Sequence, residues 1–319
     1  MVMNTPTSAP AAESALSDSP PLRNLQRTFA LLSLLLVLFG TAFSWMSWRA
    51  EFDQQANQLD ILAKMGEQAL NTYLGSIARA LQDLSREIGD ADGKNDFEKA
   101  VISLQRFKQL HPELRIANLR SVDGQILASS ERSLSGRFPS LADQPSFVLS
   151  REELQRGATL SVGRPLFGPL IGEWVIPLRY GIRGGDGSLR HILSVGLPVT
   201  RTYDFWKDAP LPPGATLGMM RDDFFLLSRY PLPTGKNLDD LLTTPRTGVL
   251  ARHIRQHNYP LKGIVDGVSS VSGENALYAF GRLHNYPVTF HVAIPKSNIW
   301  AAWRQNMRPP LCIDVVVDH

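Results

Sequence analysis

The sequence predicts an α+β chain with a transmembrane helix near its N-terminus, a long stalk helix, and two tandem modules that each carry a roughly five-stranded antiparallel sheet. Three observations carry this. An uncharged run, "TFALLSLLLVLFGTAFSWMSW", covers residues 28–48. A stripe of apolar or small residues follows at alternating spacings of four and three, from Phe52 to Ile88. After it, a hairpin signal followed by strand-length runs occurs twice.

Residues 1–27 are expected to form a disordered cytoplasmic tail, because their first twenty are rich in Ser, Pro and Ala and show no apolar periodicity. At ~1.5 Å per residue the 28–48 run spans the ~30 Å hydrocarbon core. Bulky Phe43, Trp45, Met46 and Trp48 stand where a cleaved signal would need small residues, so an uncleaved anchor is expected. Arg23 and Arg27 precede the run and Glu51 and Asp53 follow it, which sets the N-terminus in the cytoplasm and the bulk of the chain outside.

The stalk, 49–88, would reach roughly 55 Å as a helix. Its stripe runs through Phe52, Ala56, Leu59, Ala63, Gly66, Leu70, Leu74, Ile77, Leu81, Leu84 and Ile88. This heptad-like seam predicts a homodimer through the stalk, the helix pairing with a second copy near the membrane and packing on its own domain farther out, the alternative being a single helix whose stripe packs wholly on one domain. "GDADGKN" ends it at 89–95.

Two modules follow, at 89–207 and 208–296, divided by the proline-rich "DAPLPPG" (208–214). In the first, "LRIANLR" leads through Ser121, Val122, Asp123 and Gly124 into "QILASS", and Asp-Gly predicts a type I′ turn. In the second, "ATLGMM" leads through Asp222 and Asp223 into "FFLLSRY". Further strand runs follow each hairpin. In the last, Val288, Phe290, Val292 and Ile294 alternate with Thr289, His291 and Ala293, which predicts a half-buried strand with His291 exposed.

Composition narrows the function. Lys and Arg number 33 against 30 Asp and Glu, and the basic residues are scattered, so no nucleic-acid partner is expected. The single cysteine, Cys312, excludes an intrachain disulfide and a thiolate metal cluster. No catalytic residue, metal site or cofactor is expected. Nucleophile-elbow, Walker and His-Glu-x-x-His motifs are absent, and His253 and His257 share a helix spacing without a third ligand. "GGDG" at 184–187 is followed by Ser-Leu and reads as a turn.

The candidate ligand-binding residues are Asp143, Arg164, Trp174, Arg179 and Tyr180. Asp143 would bind an amine or order its loop. Arg164 and Arg179 would clamp a carboxylate bidentately. Trp174 and Tyr180 would supply apolar walls with polar tips. Alternation places Trp174 and Tyr180 on one face of their strand and Arg179 on the other, so the clamp requires both guanidinium groups to reach the same side. The alternative is that the arginines form surface pairs and the aromatics are core.

The order of "VDGQILASS", "LADQPSF" (141–147), "SVGRPLFGPLIGEWVIPLRY" (161–180) and "GGDGSLRHILSVGLPVTRTYDFW" (184–206) resembles the periplasmic double Cache sensor region of bacterial membrane receptors, as found ahead of diguanylate cyclase domains. In the second half, "MRDDFFLLSRYP", "VDGVSSVSGENALYAFGRLHNYPVTFHVAIP" (265–295) and "IWAAWR" (299–304) continue it. The chain has Asp223 where that family usually has Gly. The resemblance implies two PAS-like modules, the membrane-distal one binding a small molecule, in a protein of the bacterial inner membrane with its bulk in the periplasm. It also implies cyclic di-GMP signalling by an output domain beyond residues 297–319, which are expected to be a tail that stops short of it. The rival reading is an anchored periplasmic protein-interaction module without a small-molecule ligand.

Overall fold

The computed structural model of the chain describes residues 20–89, 94–131, 140–168, 171–205, 210–231 and 238–307. The N-terminal tail up to residue 19, the acidic stretch 90–93, the start of the proline-rich boundary at 206–209 and the C-terminal 308–319 with Cys312 lie outside the described residues.

Helix α1 runs unbroken over Pro20–Ile88. Its early apolar side chains, among them Phe29, Leu36 and Phe39, are exposed, and it is long and apolar enough to cross a membrane. Farther along, Leu59, Ala63, Leu70, Leu74, Ile77, Leu81 and Leu84 are buried, which is the predicted stripe. The chain itself does the burying. Gly66 lies directly under Phe290, and Gly281 lies against Glu67 and Ala63. From Leu59 onward the stripe is therefore covered by the chain's own modules, the second at Gly66 and the first near Glu87.

Helix α2 (Lys94–Leu110) packs on β1 (Ala117–Ser121) and β2 (Ile126–Ser129). The first sheet continues, after α3 (Pro145–Gln155), with β3 (Ser161–Val162), β4 (Leu166–Gly168), β5 (Glu173–Arg183) and β6 (Leu189–Pro198). Its order is β2-β1-β6-β5-β3, with β4 also paired to β5. The second sheet is built from β7 (Thr216–Arg221), β8 (Leu226–Tyr230), β9 (Lys262–Val268), β10 (Asn275–Arg282) and β11 (Val288–Pro295). Its order, β8-β7-β11-β10-β9, repeats the first. Between β8 and β9 lie α4 (Leu238–Thr243) and α5 (Val249–Gln256), and α6 (Lys296–Asn306) follows β11. The architecture is mixed α+β with two antiparallel sheets of about five strands, consistent with tandem PAS-like modules.

The hairpins share one geometry, and it is not the predicted two-residue turn. In the first, Gly124 N–H donates to Ser121 O and Ser121 N–H to Gln125 O, both at 2.9 Å, and Gly124 alone is left-handed, at φ 81°. This is a type I turn closed by a left-handed residue that forms a bulge. The second repeats it between Arg221 and Phe225, so the left-handed position falls on Phe224 (φ 69°) and not on Asp223. An aromatic residue there is strained. It is held because Phe224 is buried, stacks on Tyr259 at 6.2 Å and lies 4.6 Å from the Arg255 guanidinium. "GGDG" closes the β5–β6 hairpin the same way, with Gly187 left-handed.

The β11 pattern places His291 differently from the expectation. It is buried, at 8% exposure. Both faces of this sheet are covered, one by α1 and the other by α5 and its flanking loops, so the polar half of the alternation does not reach solvent.

Candidate functional site

The first module encloses a cavity of ≈ 270 Å³ between the sheet face opposite α2 and a wall formed by the 141–144 loop and β4. Pairing brings three polar residues into one row across the sheet, with Asn118 of β1 opposite Ser194 of β6, and Ser194 opposite Arg179 of β5. Arg120 lies two residues along β1 and also lines the cavity, as does Gln144 from the loop. Leu166, Phe167, Val175 and Pro177 supply apolar walls.

Arg179 is 1% exposed. One guanidinium nitrogen, Nη1, donates to Ser146 O at 3.0 Å and to Ser150 Oγ at 2.7 Å, both on α3. The group lies 5.4 Å from the Phe147 ring, and Gly163 leaves room for it, since a Cβ there would come within 2.8 Å of Nη1. Arg120 donates from Nη1 to Gly124 O at 3.0 Å. Burial lowers its pKa to about 10. Burial, with the charges of Arg120 and Arg221 adding, lowers that of Arg179 to about 9 against the opposing pull of Glu153. Both remain cations at neutral pH.

Four buried atoms of this cavity have no hydrogen-bond partner among the described residues: Arg120 Nε, Arg179 Nε, Asn118 Oδ1 and Gln144 Oε1. Two are donors on cations and two are neutral acceptors. None of the residues lining the cavity is acidic. An unpartnered buried polar atom costs ~1–3 kcal/mol, so the cavity that gathers four is the candidate binding site.

The five residues picked from sequence do not gather here. Arg179 alone lines the cavity. Arg164 turns away to the seam between modules, where Nε meets Asp223 Oδ2 at 2.9 Å and the guanidinium lies 4.1 Å over the Phe225 ring. The two-arginine clamp of Arg164 with Arg179 is thereby corrected, since a partner 59 residues on in the chain outcompetes the expected one. Trp174 donates from Nε1 to Asp239 Oδ1 at 2.8 Å. Tyr180 faces a depression shared with Gln82, Ser85 and Arg86 of α1, and Asp143 is exposed on its loop. Asn118, Arg120 and Gln144 were missed. The signal for two of them was present in "LRIANLR", where polar residues alternate with apolar ones.

The seam is held by a third buried cation. Arg221, 4% exposed at its side chain, donates to Val162 O, pairs with Glu153 of α3, and meets Asp223 Oδ2 at 3.0 Å. Burial pulls its pKa down, but Glu153 and Asp223 together more than offset this and hold it above the ordinary arginine value.

No family model and no curated protein sequence matches the chain. Solved structures do. The extracellular domain of rpHK1S-Z16, named as a histidine kinase, superposes with a TM-score of 0.63 at 19% identity, covering 79% of this chain and 99% of that one. The ligand-binding domain of the Pseudomonas fluorescens chemoreceptor CtaA, in complex with L-isoleucine, gives 0.58 at 10% identity over 80% of this chain and 98% of its own. That of the Pseudomonas aeruginosa amino acid chemoreceptor PctB, in complex with L-Gln, gives 0.57 at 14% over 77% and 93%. The chain shares the fold of extracellular sensor domains. These neighbours are sensor and ligand-binding domains of receptors, not catalytic ones.

Proposed function

We propose that the chain is the extracytoplasmic sensing part of a membrane-anchored bacterial signalling receptor, and that its first-module cavity binds a small carboxylate carrying a neutral hydrogen-bond donor, such as a hydroxycarboxylate. The observation that carries this is the convergence of two unpartnered guanidinium N–H groups and two unpartnered amide oxygens on one cavity without an acid. The Nε–H groups of Arg120 and Arg179 suit a carboxylate, and Asn118 Oδ1 and Gln144 Oε1 suit a ligand hydroxyl. An α-ammonium group would meet two buried cations and no carboxylate, which favours a hydroxy acid over the amino acids bound by the chemoreceptor neighbours. Ligand acts by preferring one arrangement of the module over another. The bulk of the chain would lie outside the inner membrane, with the exposed apolar part of α1 as the anchor. A cyclic di-GMP output rests on the motif resemblance alone.

The test is titration calorimetry of the full chain in detergent micelles against lactate, malate and citrate beside alanine, isoleucine and glutamine. Binding of a hydroxycarboxylate that is lost on Arg179→Met supports the proposal. Preferential binding of amino acids would overturn the ligand class, and silence toward all small acids would favour the interaction module.

A further inference from the structure

The second module has its own cavity, ≈ 200 Å³, on the α5 side of its sheet. Three independent features meet there. His291, 8% exposed, lines it, and its Nδ1 has no partner among the described residues. The imidazole is seated over Gly218, the residue opposite it on β7, where a Cβ would collide with Cε1 and Nε2. Helix α5 begins at the cavity wall: its N-cap Gly248 supplies no side-chain cap, and Gly248, Val249, Leu250 and Ala251 all line the space. The first N–H groups of a helix have no acceptor within it and carry the positive end of its dipole. Third, Arg246 lines the same space and spends its bonds on the backbone carbonyls of Asp240 and Thr244 at 3.0 and 2.6 Å. Those bonds leave its positive charge in place. Arg229 adds a second cation, and Glu274, an exposed residue, is the acid at this site.

The opposite wall is apolar, formed by Met220, Ala276 and Ala293. We propose that this cavity is a second ligand site, taking a short-chain carboxylate, with the carboxylate at the α5 N-terminus and Arg246, one oxygen within reach of the His291 imidazole, and the alkyl end against Met220, Ala276 and Ala293. The apolar wall is what separates a carboxylate from an inorganic oxyanion, which has no alkyl end to bury. This site is independent of the first-module cavity and stands or falls separately from it.

The experiment uses the full chain in detergent micelles, titrated with sodium propionate at constant ionic strength, with phosphate as the second anion. Expected results are a propionate-dependent rise in melting temperature, a Kd at least tenfold weaker in Arg246→Gln and in Ala293→Leu, and an unchanged Kd in Arg179→Met. Because Ala293→Leu could disturb the fold, histidine-selective NMR of the unaltered chain gives a second readout. The His291 ring signal, assigned by its loss in His291→Gln, should move with propionate. No shift of that signal, loss of the propionate effect in Arg179→Met, or an equal response to phosphate would each overturn the proposal.

Discussion

The two sheets are built on one plan and floored with different chemistry. Their hairpins fix the correspondence, with Ser121 and Arg221 starting the same turn. The row Asn118, Ser194, Arg179 of the first module is then Gly218, His291, Phe280 in the second, and Arg120 corresponds to Met220. Two buried cations thus stand where the duplicate carries a phenylalanine and a methionine. The fold evidently needs neither charge. A buried, incompletely bonded guanidinium costs stability that a hydrophobic residue of similar volume would not, and the proposed ligand would account for Arg120 and Arg179. In the second module the row extends through Gly218 to the partly buried Arg229 at the edge strand, so its positive groups stand at the sheet edge, the cavity rim and a helix end, with an imidazole in the middle of the row.

This comparison can be broken most sharply at Arg179. Arg179→Met makes the first floor resemble the second, and carboxylate binding there should weaken by about a hundredfold or more, as loss of one partner from a buried charged pair costs ~2–5 kcal/mol. The ligand-free melting temperature should stay level or rise. A large drop would mean the arginine is structural. Arg164→Ala, at the seam, should leave the dissociation constant within about twofold.

The seam gives the next largest effect. Arg221 is buried against Glu153 and Asp223, whereas Ser121, in the same hairpin position, carries no charge. Arg221→Ala should cost ~3 kcal/mol in urea unfolding, since it strands the partly buried Glu153 and leaves Asp223 to Arg164 alone. A cost under ~1 kcal/mol would show that the modules do not depend on this pair.

His291 should make the second module acid-sensitive. Its burial, with the Arg229 charge adding, lowers its pKa to about 3 from an ordinary value of 6.5. The unfolded chain therefore binds a proton between those values that the native state does not. Stability from this group is present above pH 6.5 and is lost as pH falls toward 3, at ~1.4 kcal/mol per unit. Between pH 7 and 5 the unaltered chain should lose about 2 kcal/mol more than His291→Gln, measured by urea midpoints at both values. Parallel losses would place the ring in water.

The smallest effect concerns the paired turns. Gly124→Ala puts a side chain at φ 81° and 2.9 Å from Leu141 N, and should cost about 1–2 kcal/mol. Phe224→Gly relieves the same strain in the second hairpin but removes a buried ring. Denaturant unfolding should still show a net loss of ~2 kcal/mol, because core phenylalanine truncation costs ~3–5 kcal/mol and the strain returns about one.

Much of the fold was legible in the sequence because membrane length, helical stripe and strand alternation are local periodicities. The duplication was legible too, because turn chemistry recurs in both halves. Sidedness was not. Asn118, Arg120 and His291 all sit at the polar beat of an alternating strand, which reads as solvent-facing when one face is free. Here helices cover one face and a cavity occupies the other, so the polar beat points inward. Arg164 was misjudged for a different reason: its partner, Asp223, belongs to the other module, and no spacing rule spans that distance. The acidic pair Asp222 and Asp223 marks the second turn in the sequence, yet the left-handed position falls one place later, on Phe224, which no turn rule favours until its packing is known.

The close fit of α1 on the second sheet has a mechanical consequence. Gly66 leaves the space that Phe290 fills, and Gly281 leaves the space for Ala63 and Glu67, so helix and sheet engage like a key cut on both edges. An axial slide of α1 by one residue's rise, ~1.5 Å, would carry Gly66 off the Phe290 ring and break this fit. The helix is thus no piston against this sheet. Strands β10 and β11 and the middle of α1 form one strut, while the last turns of the same helix touch the first module through Glu87, which accepts from Ser103 and pairs with Arg106, so one helix is gripped by both modules.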